Sequence, residues 1–463
     1  MKGRTFKNYY FLGIGGIGMS ALARYFKSEG FNVAGYDRSS SKVTDDLQAE
    51  GISVVFDETI EAIPETFRNP EDTLIVITPA IPEDHPQNIY FRQTGFSMQK
   101  RAEVLGSITR KGRAICIAGT HGKTTTSTIT AHLLYNSKLS CNAFLGGIAN
   151  NYNSNLLLST NSDWVVVEAD EYDRSFHQLT PTMAVITSVE ADHLDIYETE
   201  EAFRRSFEHF ASLIRPGGVL VLRRGIEIHP ELQDGVKVYS YSMNEGGDFH
   251  AEHIHTQNGE IHFDFVTPKG RIEKLRLGSP VLINVENSVA AMTLAWLCGA
   301  SDEEIRSGIA SFSGIYRRFN TVYQSAQVVY MDDYAHHPSE LRASISSIRN
   351  LYPKRKITGI FQPHLYTRTR DFADEFARAL SELDETILLD IYPAREKPIE
   401  NVSSELILKD VKSKNKSLCS MENLLTLLEK KELDVVVTFG AGNIDRMVPK
   451  IRDFLKKKYG SAN

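Results

Sequence analysis

Short apolar runs alternate along this chain with longer amphipathic stretches, and most runs stop at a cluster of Gly, Asp, Glu, His or Thr. The runs at 9–12, 31–36, 54–56, 74–78, 114–118, 164–167 and 184–187 read as strands, as do those at 219–222, 328–331, 357–361, 386–389 and 435–439. A short apolar run bounded by turn formers suits a strand buried on both faces. Stretches such as 19–27 and 288–298 read as helices, and strands alternating with helices predict parallel α/β sheets. Residues 82–110 read as loop and helices, and Gly146-Gly147 with the polar run 150–155 as a turn-rich loop. The 251–277 region departs from this pattern. Residues 251–257 and 260–266 alternate with period two around Asn258-Gly259, a type I′ hairpin signal, and Gly270 turns a further strand into 271–277.

Length turns one sheet into several, because 463 residues exceed one ordinary core and predict two to four domains. Hydrophobic and charged fractions of 41% and 24% are those of a globular protein. No apolar run has transmembrane length, and residues 1–7 enter the first strand without a signal-peptide core, so a cytoplasmic location and no membrane partner are expected. The net charge is -7, with no basic patch before Lys456-Lys457-Lys458, which argues against nucleic acid. The four cysteines (Cys116, Cys141, Cys298, Cys419) follow no disulfide or zinc spacing.

The strongest chemistry lies after the 114–118 run, in Gly119-Thr120-His121-Gly122-Lys123-Thr124-Thr125-Thr126. The spacing G-x-x-G-K-T is two residues shorter than the common phosphate-loop pattern. A strand, a glycine loop and a helix start turn backbone N–H groups and the helix dipole onto an anion. Lys123 can then neutralise β/γ-phosphate charge, and the Thr124 hydroxyl can ligate Mg²⁺.

A second cradle is Gly13-Ile14-Gly15-Gly16-Ile17-Gly18, with Asp37 about twenty residues on. This fingerprint seats a pyrophosphate on the helix start and lets Asp37 accept hydrogen bonds from the ligand; NAD and a UDP-sugar both qualify. Thr78 ends the 74–78 strand where open α/β sheets bind ligands. Two other strand ends are acidic. One is Glu168-Ala169-Asp170-Glu171-Tyr172-Asp173, whose carboxylates need a cation or basic partners. The other is Glu190-Ala191-Asp192-His193-Leu194-Asp195, and the pair beside a phosphate loop suggests a divalent-metal site. Asn284 and Asn287 open a helix and suit either a nucleotide contact or capping. Later strands end in Asp332-Asp333-Tyr334-Ala335-His336-His337-Pro338 and Gln362-Pro363-His364-Leu365-Tyr366-Thr367-Arg368-Thr369-Arg370. Three histidines with Arg368 and Arg370 at such ends point to a site.

In this order the segments resemble the Mur ligase family along nearly the whole chain. The motifs that carry the resemblance are Gly-Ile-Gly-Gly-Ile-Gly-Met-Ser from Gly13, Gly-Thr-His-Gly-Lys-Thr-Thr-Thr from Gly119, Glu-Ala-Asp-Glu from Glu168 and Glu-Ala-Asp-His from Glu190. They continue with Arg317-Arg318-Phe319, Asp-Asp-Tyr-Ala-His-His-Pro from Asp332, and Phe361-Gln362-Pro363-His364. The match is best to the alanine-adding branch. The resemblance implies an α/β chain of three domains. These are a Rossmann-like UDP-sugar-binding domain (1–107), a P-loop-type ATP-binding domain with a parallel sheet and an added small β segment (108–314), and a Rossmann-like amino-acid-binding domain (315–463).

It further implies an ATP-dependent ligase of peptidoglycan precursor synthesis, acting on UDP-N-acetylmuramate and L-alanine with Mg²⁺ or Mn²⁺, as a monomer or weak homodimer. By that likeness Gly13, Gly15, Gly16, Ile17, Gly18, Asp37 and Thr78 hold the UDP-sugar. ATP would meet Gly119, Thr120, His121, Gly122, Lys123, Thr124, Thr125, Asn284, Asn287, Arg317 and Asp332. Thr124 and Glu168 would hold one metal ion and His193 a second, while Lys123, His193, His336, His364 and Arg368 would be catalytic. The chain departs from the family pattern at Ile283, where relatives commonly carry His, and at Leu365, where alanine-adding relatives usually carry Arg. No Lys lies between His193 and Arg215, so the carbamylated Lys of several sister ligases is not expected. Two alternatives are a murein-tripeptide recycling ligase of the same fold and, from Gly13 to Asp37 alone, an NAD-dependent oxidoreductase.

Overall fold

The computed structural model describes residues 6–190, 194–257, 260–394 and 396–460, with Leu194 and Asp195 described for their backbone alone. The expected Asn258-Gly259 turn and His193 lie outside the described residues. The chain divides into two compact units. The first runs to His255 and takes in His262–Gly278 and Asn284–Ser313; the second comprises Thr256–Ile261, Ser279–Ile283 and the chain from Gly314.

The first unit carries two sheets. The smaller is five-stranded and wholly parallel, in the order Ser53–Val55, Asn32–Tyr36, Asn8–Leu12, Thr73–Ile77, Ser97–Lys100. Its strand order reverses between Asn8–Leu12 and Thr73–Ile77, so the crevice that binds ligands in such sheets opens at Gly13 and Thr78. The larger sheet has ten strands. Lys237–Ser242, Val219–Arg223, Met183–Ile186, Arg113–Ala118, Trp164–Glu168 and Asn142–Ala149 form its parallel centre. Antiparallel partners lie at both edges: Ser154–Leu157 at one, and Glu260–Thr267 with Gly270–Arg276 at the other. The strand Arg113–Ala118 sits between Trp164–Glu168 and Met183–Ile186, which places the Gly119 loop between the two acidic strand ends.

One apolar core joins these sheets. The helix Arg101–Lys111 buries Val104, Leu105 and Ile108 in a cluster that includes Phe11 and Val76 of the small sheet and Cys116, Val167 and Ile186 of the large one. Asn155 adds a polar tie. It is fully buried, donates to Ile17 O at 2.6 Å and Ser20 Oγ at 2.9 Å, and accepts from Arg24 Nη1 at 2.6 Å. It thereby fixes the first turn of the helix Ile17–Ser28 to the edge strand Ser154–Leu157.

The second unit is a six-stranded sheet in the order Asn320–Gln324, Val329–Asp333, Val435–Phe439, Ile357–Phe361, Glu385–Leu388, Asn415–Leu418. The first strand is antiparallel and the others parallel.

The apolar runs all became strands. The strands absent from the sequence pattern are Ser97–Lys100, Asn142–Ala149, Ser154–Leu157, Lys237–Ser242, Asn320–Gln324 and Asn415–Leu418. Four of them are edge strands, where one side of the ladder and often one face stay wet, so no continuous apolar run is required. Asn142–Ala149 is internal, but Gly146-Gly147 interrupts it. Gly146 is needed for contact: a Cβ there would lie 2.1 Å from Glu168 Oε2. The helix around Asn284 and Asn287 begins earlier than expected, at Leu282.

Asn155→Ala removes two donors and one acceptor from a buried site, and an unsatisfied buried group costs about 1–3 kcal/mol. Urea unfolding followed by circular dichroism should show a loss of about that size for the first unit's transition, with the native spectrum unchanged.

Candidate functional site

The Gly119 loop is held from behind by the end of Met183–Ile186. Thr120 N donates to Ser188 O at 3.3 Å, His121 N to Ser188 Oγ at 2.8 Å, and Thr120 Oγ1 to Glu190 O at 2.8 Å. Thr187 Oγ1 donates to Ala118 O and His121 O. Gly119 and Gly122 have φ of +138° and +84°, and a Cβ on Gly119 would lie 2.1 Å from Thr187 Oγ1. Both glycines are therefore required, one by close approach and both by left-handed backbone. The helix Lys123–Tyr135 starts at once, so Lys123 and Thr124 occupy its first turn.

Lys123 does not project into water. Its Nζ donates to Gly119 O at 2.6 Å and to Glu171 Oε1 at 2.8 Å, and Glu171 is 2% exposed. Burial raises the Glu171 carboxyl above its usual range, against the pull of the Lys123 ammonium. Asn287 stands against the same loop: a Cβ on Gly122 would meet its Oδ1 at 2.8 Å. Its Nδ2 donates to Asn284 Oδ1 at 3.3 Å, so the two asparagines act together beside the loop.

The acidic strand end divides by partner. Asp170 pairs with Arg101 at 3.1 Å, Glu171 with Lys123 at 2.8 Å, and Asp173 with Lys100 at 3.0 Å. Glu168 ends its strand differently: its Oε2 is buried, without a hydrogen-bond partner among the described residues, and packs over Gly146. A buried carboxylate oxygen on the strand next to the one that leads into the phosphate loop fits a hard divalent cation, which takes few protein ligands and completes its shell with phosphate and water. No cluster of three or more His, Cys, Asp or Glu that could hold a metal ion is present among the described residues.

The other cradle lies on the small sheet. Gly13 has φ +88°, and a Cβ on it would lie 2.6 Å from Thr78 Cγ2. Gly15 N donates to Asp37 Oδ2 at 2.8 Å, so Asp37 braces the glycine turn besides facing the crevice expected from the fingerprint. From this cradle a cleft of about 260 Å³ runs to the large sheet. Gly16, Ile17, Gly18 and Thr78 line one end, Gly146, Glu168 and Asp170 the other, with Arg101 among them.

In the second unit, Asp332 is fully buried and bonded to Arg317. Its carboxylate accepts from Arg317 Nε at 3.3 Å and Thr438 Oγ1 at 2.6 Å. Burial pushes its pKa up to about 6, with Arg317 and Thr438 opposing. Arg317 is also mostly buried and bonds Gly440 O, so Asp332 anchors the guanidinium. His336 and His364 meet edge to face with centroids 6.0 Å apart, and His364 stacks on Tyr392. His364 Nδ1 and Arg368 Nη1 are buried without a hydrogen-bond partner among the described residues. Burial lowers His336, and takes His364 down to about 4 with help from His336 and Arg368. His337 instead caps the helix Pro338–Leu351, and Arg370 pairs with Asp371 at the surface. Leu365 adopts φ +71° and donates its N–H to Tyr392 O at 2.9 Å.

Three family models match in succession: "Mur ligase family, catalytic domain" over 8–113, "Mur ligase middle domain" over 117–295 and "Mur ligase, glutamate ligase domain" over 317–442. The UDP-N-acetylmuramate–L-alanine ligase of Phocaeicola vulgatus is 55% identical, over 98% of this chain and 99% of that protein. The chain belongs to the Mur ligase family. Among solved structures, the UDP-N-acetylmuramate-alanine ligase of Thermotoga maritima superposes with a TM-score of 0.83 at 25% identity, covering 98% of this chain and 100% of that one. The murein peptide ligase of Psychrobacter arcticus shares the fold, with a TM-score of 0.70 at 20% identity over 97% and 98%.

Within this Mur ligase the sequence motifs left out Arg101, Glu171's role toward Lys123, and the Thr187–Ser188 brace. Arg101 follows a polar edge strand that carries no apolar signal. Thr187 and Ser188 form an ordinary strand end until the sheet order shows what they face.

Lys123→Ala should lower turnover by about 10²-fold or more, as expected for loss of a preorganised charge on transferring phosphate, with a native circular dichroism spectrum. His364 should titrate near pH 4 by ring-proton NMR. An unfolded His takes up its proton near 6.5. The folded state resists that proton, so the contribution of His364 to stability is full above pH 6.5 and is lost as pH falls toward 4. A His364→Gln variant should flatten that part of the stability profile.

Proposed function

We propose that this chain joins L-alanine to the carboxylate of UDP-N-acetylmuramate at the expense of ATP, in peptidoglycan precursor synthesis. The observation that carries this is the cleft that runs from the Gly13–Gly18 cradle to Glu168. A diphosphate seated at one end leaves an attached sugar acid directed to the phosphate-transfer site at the other. An NAD-dependent oxidoreductase would use the first cradle and leave the Gly119 loop and Glu168 without a task. The 55% identity over nearly the whole chain favours the alanine-adding ligase over the murein-tripeptide enzyme, whose solved relative matches at 20%.

The chemistry follows from charge. A carboxylate does not react with an amine unaided near neutral pH. A carboxylate oxygen therefore attacks the γ-phosphorus of ATP, the bond to ADP breaks, and an acyl phosphate forms. The alanine ammonium gives up a proton, and the free amine attacks the acyl carbon. The tetrahedral adduct expels phosphate and releases a second N–H proton to give the amide. Lys123 leaves Glu171 for the γ-phosphate and screens the meeting of two anions. The loop N–H groups of 119–124 hold the other phosphates, with Asn284 and Asn287 placed beside them. Thr124 and Glu168 would hold Mg²⁺ or Mn²⁺, which supplies charge neutralisation on the phosphates, and His193 would hold a second ion. In the C-terminal unit Arg368, whose buried Nη1 has no hydrogen-bond partner among the described residues, offers positive charge to the alanine carboxylate. His336 and His364, kept neutral by burial, add hydrogen bonds without repelling the ammonium. Arg317, anchored by Asp332, contributes to ATP. We place the reaction in the cytoplasm, by a monomer or weak homodimer with domains at 1–107, 108–314 and 315–463; no described helix is long and apolar enough to cross a membrane.

ADP release should require L-alanine and UDP-N-acetylmuramate together, and NAD should leave the melting temperature unchanged. Release without either substrate, or stabilisation by NAD, would contradict the assignment. Nucleotide affinity measured with and without Mg²⁺ separates the two ions. Glu168→Ala should weaken Mg²⁺-dependent affinity and turnover together, whereas His193→Ala should depress turnover and leave affinity intact.

A further inference from the structure

We infer that Arg101 is a direct ligand of the substrate's diphosphate, an inference that rests on the nucleotide-sugar assignment above. Three observations converge on it. The guanidinium lies across the first turn of the helix Ile17–Ser28: a Cβ built on Gly18 would sit 2.9 Å from its Nη1. That turn is where the glycine fingerprint seats a pyrophosphate, and its N–H groups supply only partial positive charge. Arg101 is also the one cation among the described residues lining the cleft, whose other ionised members are Glu168 and Asp170. Finally, it is tied to Asp170 by one bond of 3.1 Å from Nη2, and its side chain is 20% exposed. The remaining donors of the fork make no hydrogen bond to another described residue, which leaves them for a ligand.

Gly18 is thereby explained by more than the helix turn, since any side chain there would displace the guanidinium. The pairing with Asp170 also keeps Arg101 aimed across the cleft when no ligand is bound. A diphosphate brings two charges to a guanidinium that otherwise shares one, so Arg101 adds to the ligand without abandoning its anchor. The same contact connects the nucleotide-sugar cradle to the strand end that carries Glu168.

Isothermal titration of the full chain with UDP and with UDP-N-acetylmuramate tests this. Loss of a charge-assisted pair should weaken both ligands by ~10–100-fold in Arg101→Ala, with ATP affinity unchanged. Arg101→Lys should recover part of the loss, because charge returns without the fork. Asp170→Asn removes the anchor alone and should leave UDP affinity unchanged or tighter. If Arg101→Ala weakens only UDP-N-acetylmuramate, Arg101 meets the sugar acid and the diphosphate assignment is overturned. If Asp170→Asn weakens UDP as much as Arg101→Ala does, the residue is a structural tie and the inference is likewise overturned. Wild-type protein that binds neither ligand would contradict the functional assignment itself, a result distinct from wild type binding both while Arg101→Ala binds them equally well.

Discussion

Anion must be brought to anion in this protein, and the rest of the structure is arranged around that difficulty. Two unit charges 4 Å apart repel by about 4 kcal/mol at the effective dielectric near a protein surface. A diphosphate, a carboxylate and a triphosphate are to be gathered where the fold has already placed Glu168, Asp170, Glu171 and Asp173 on one strand end. The structure meets this by giving each of the last three its own cation. Those pairs do two things at once. They keep the acidic strand end from repelling itself, and they hold Lys123 and Arg101 in place before any phosphate arrives. Glu168 is left with a buried oxygen that has no hydrogen-bond partner among the described residues.

Rigidity of the loops follows from the sheet order. Because Arg113–Ala118 lies between Met183–Ile186 and Trp164–Glu168, the Gly119 loop is backed by Thr187 and Ser188 on one side and faces Glu168 on the other. Asn155 and the helix Arg101–Lys111 then join this sheet to the one that holds the Gly13 cradle. In the C-terminal unit the same logic appears as Asp332 anchoring Arg317, with a buried carboxylate used to orient a guanidinium.

Much of this was legible in the sequence, for physical reasons. Central parallel strands are buried on both faces, so they read as apolar runs, and the glycines at 13, 119 and 122 are demanded by positive φ. Edge strands such as Ser97–Lys100 have no such signature, and Arg101 was lost with it. Partner choice was not legible either. Nothing in the spacing of Glu168, Asp170, Glu171 and Asp173 says which one lacks a cation; that depends on Lys100, Arg101 and Lys123 arriving from other elements. Nor does the sequence say that Asp332 is buried against Thr438 and Arg317, since those partners come from other segments.

The central claim is that ATP activates the sugar carboxylate as an acyl phosphate. Its most direct test is the fate of the carboxylate oxygens. With UDP-N-acetylmuramate labelled with ¹⁸O in its carboxyl group, mass spectrometry of the phosphate released in the presence of ATP and L-alanine should show one labelled oxygen per phosphate. Label retained entirely in the amide product, with unlabelled phosphate, would contradict the account.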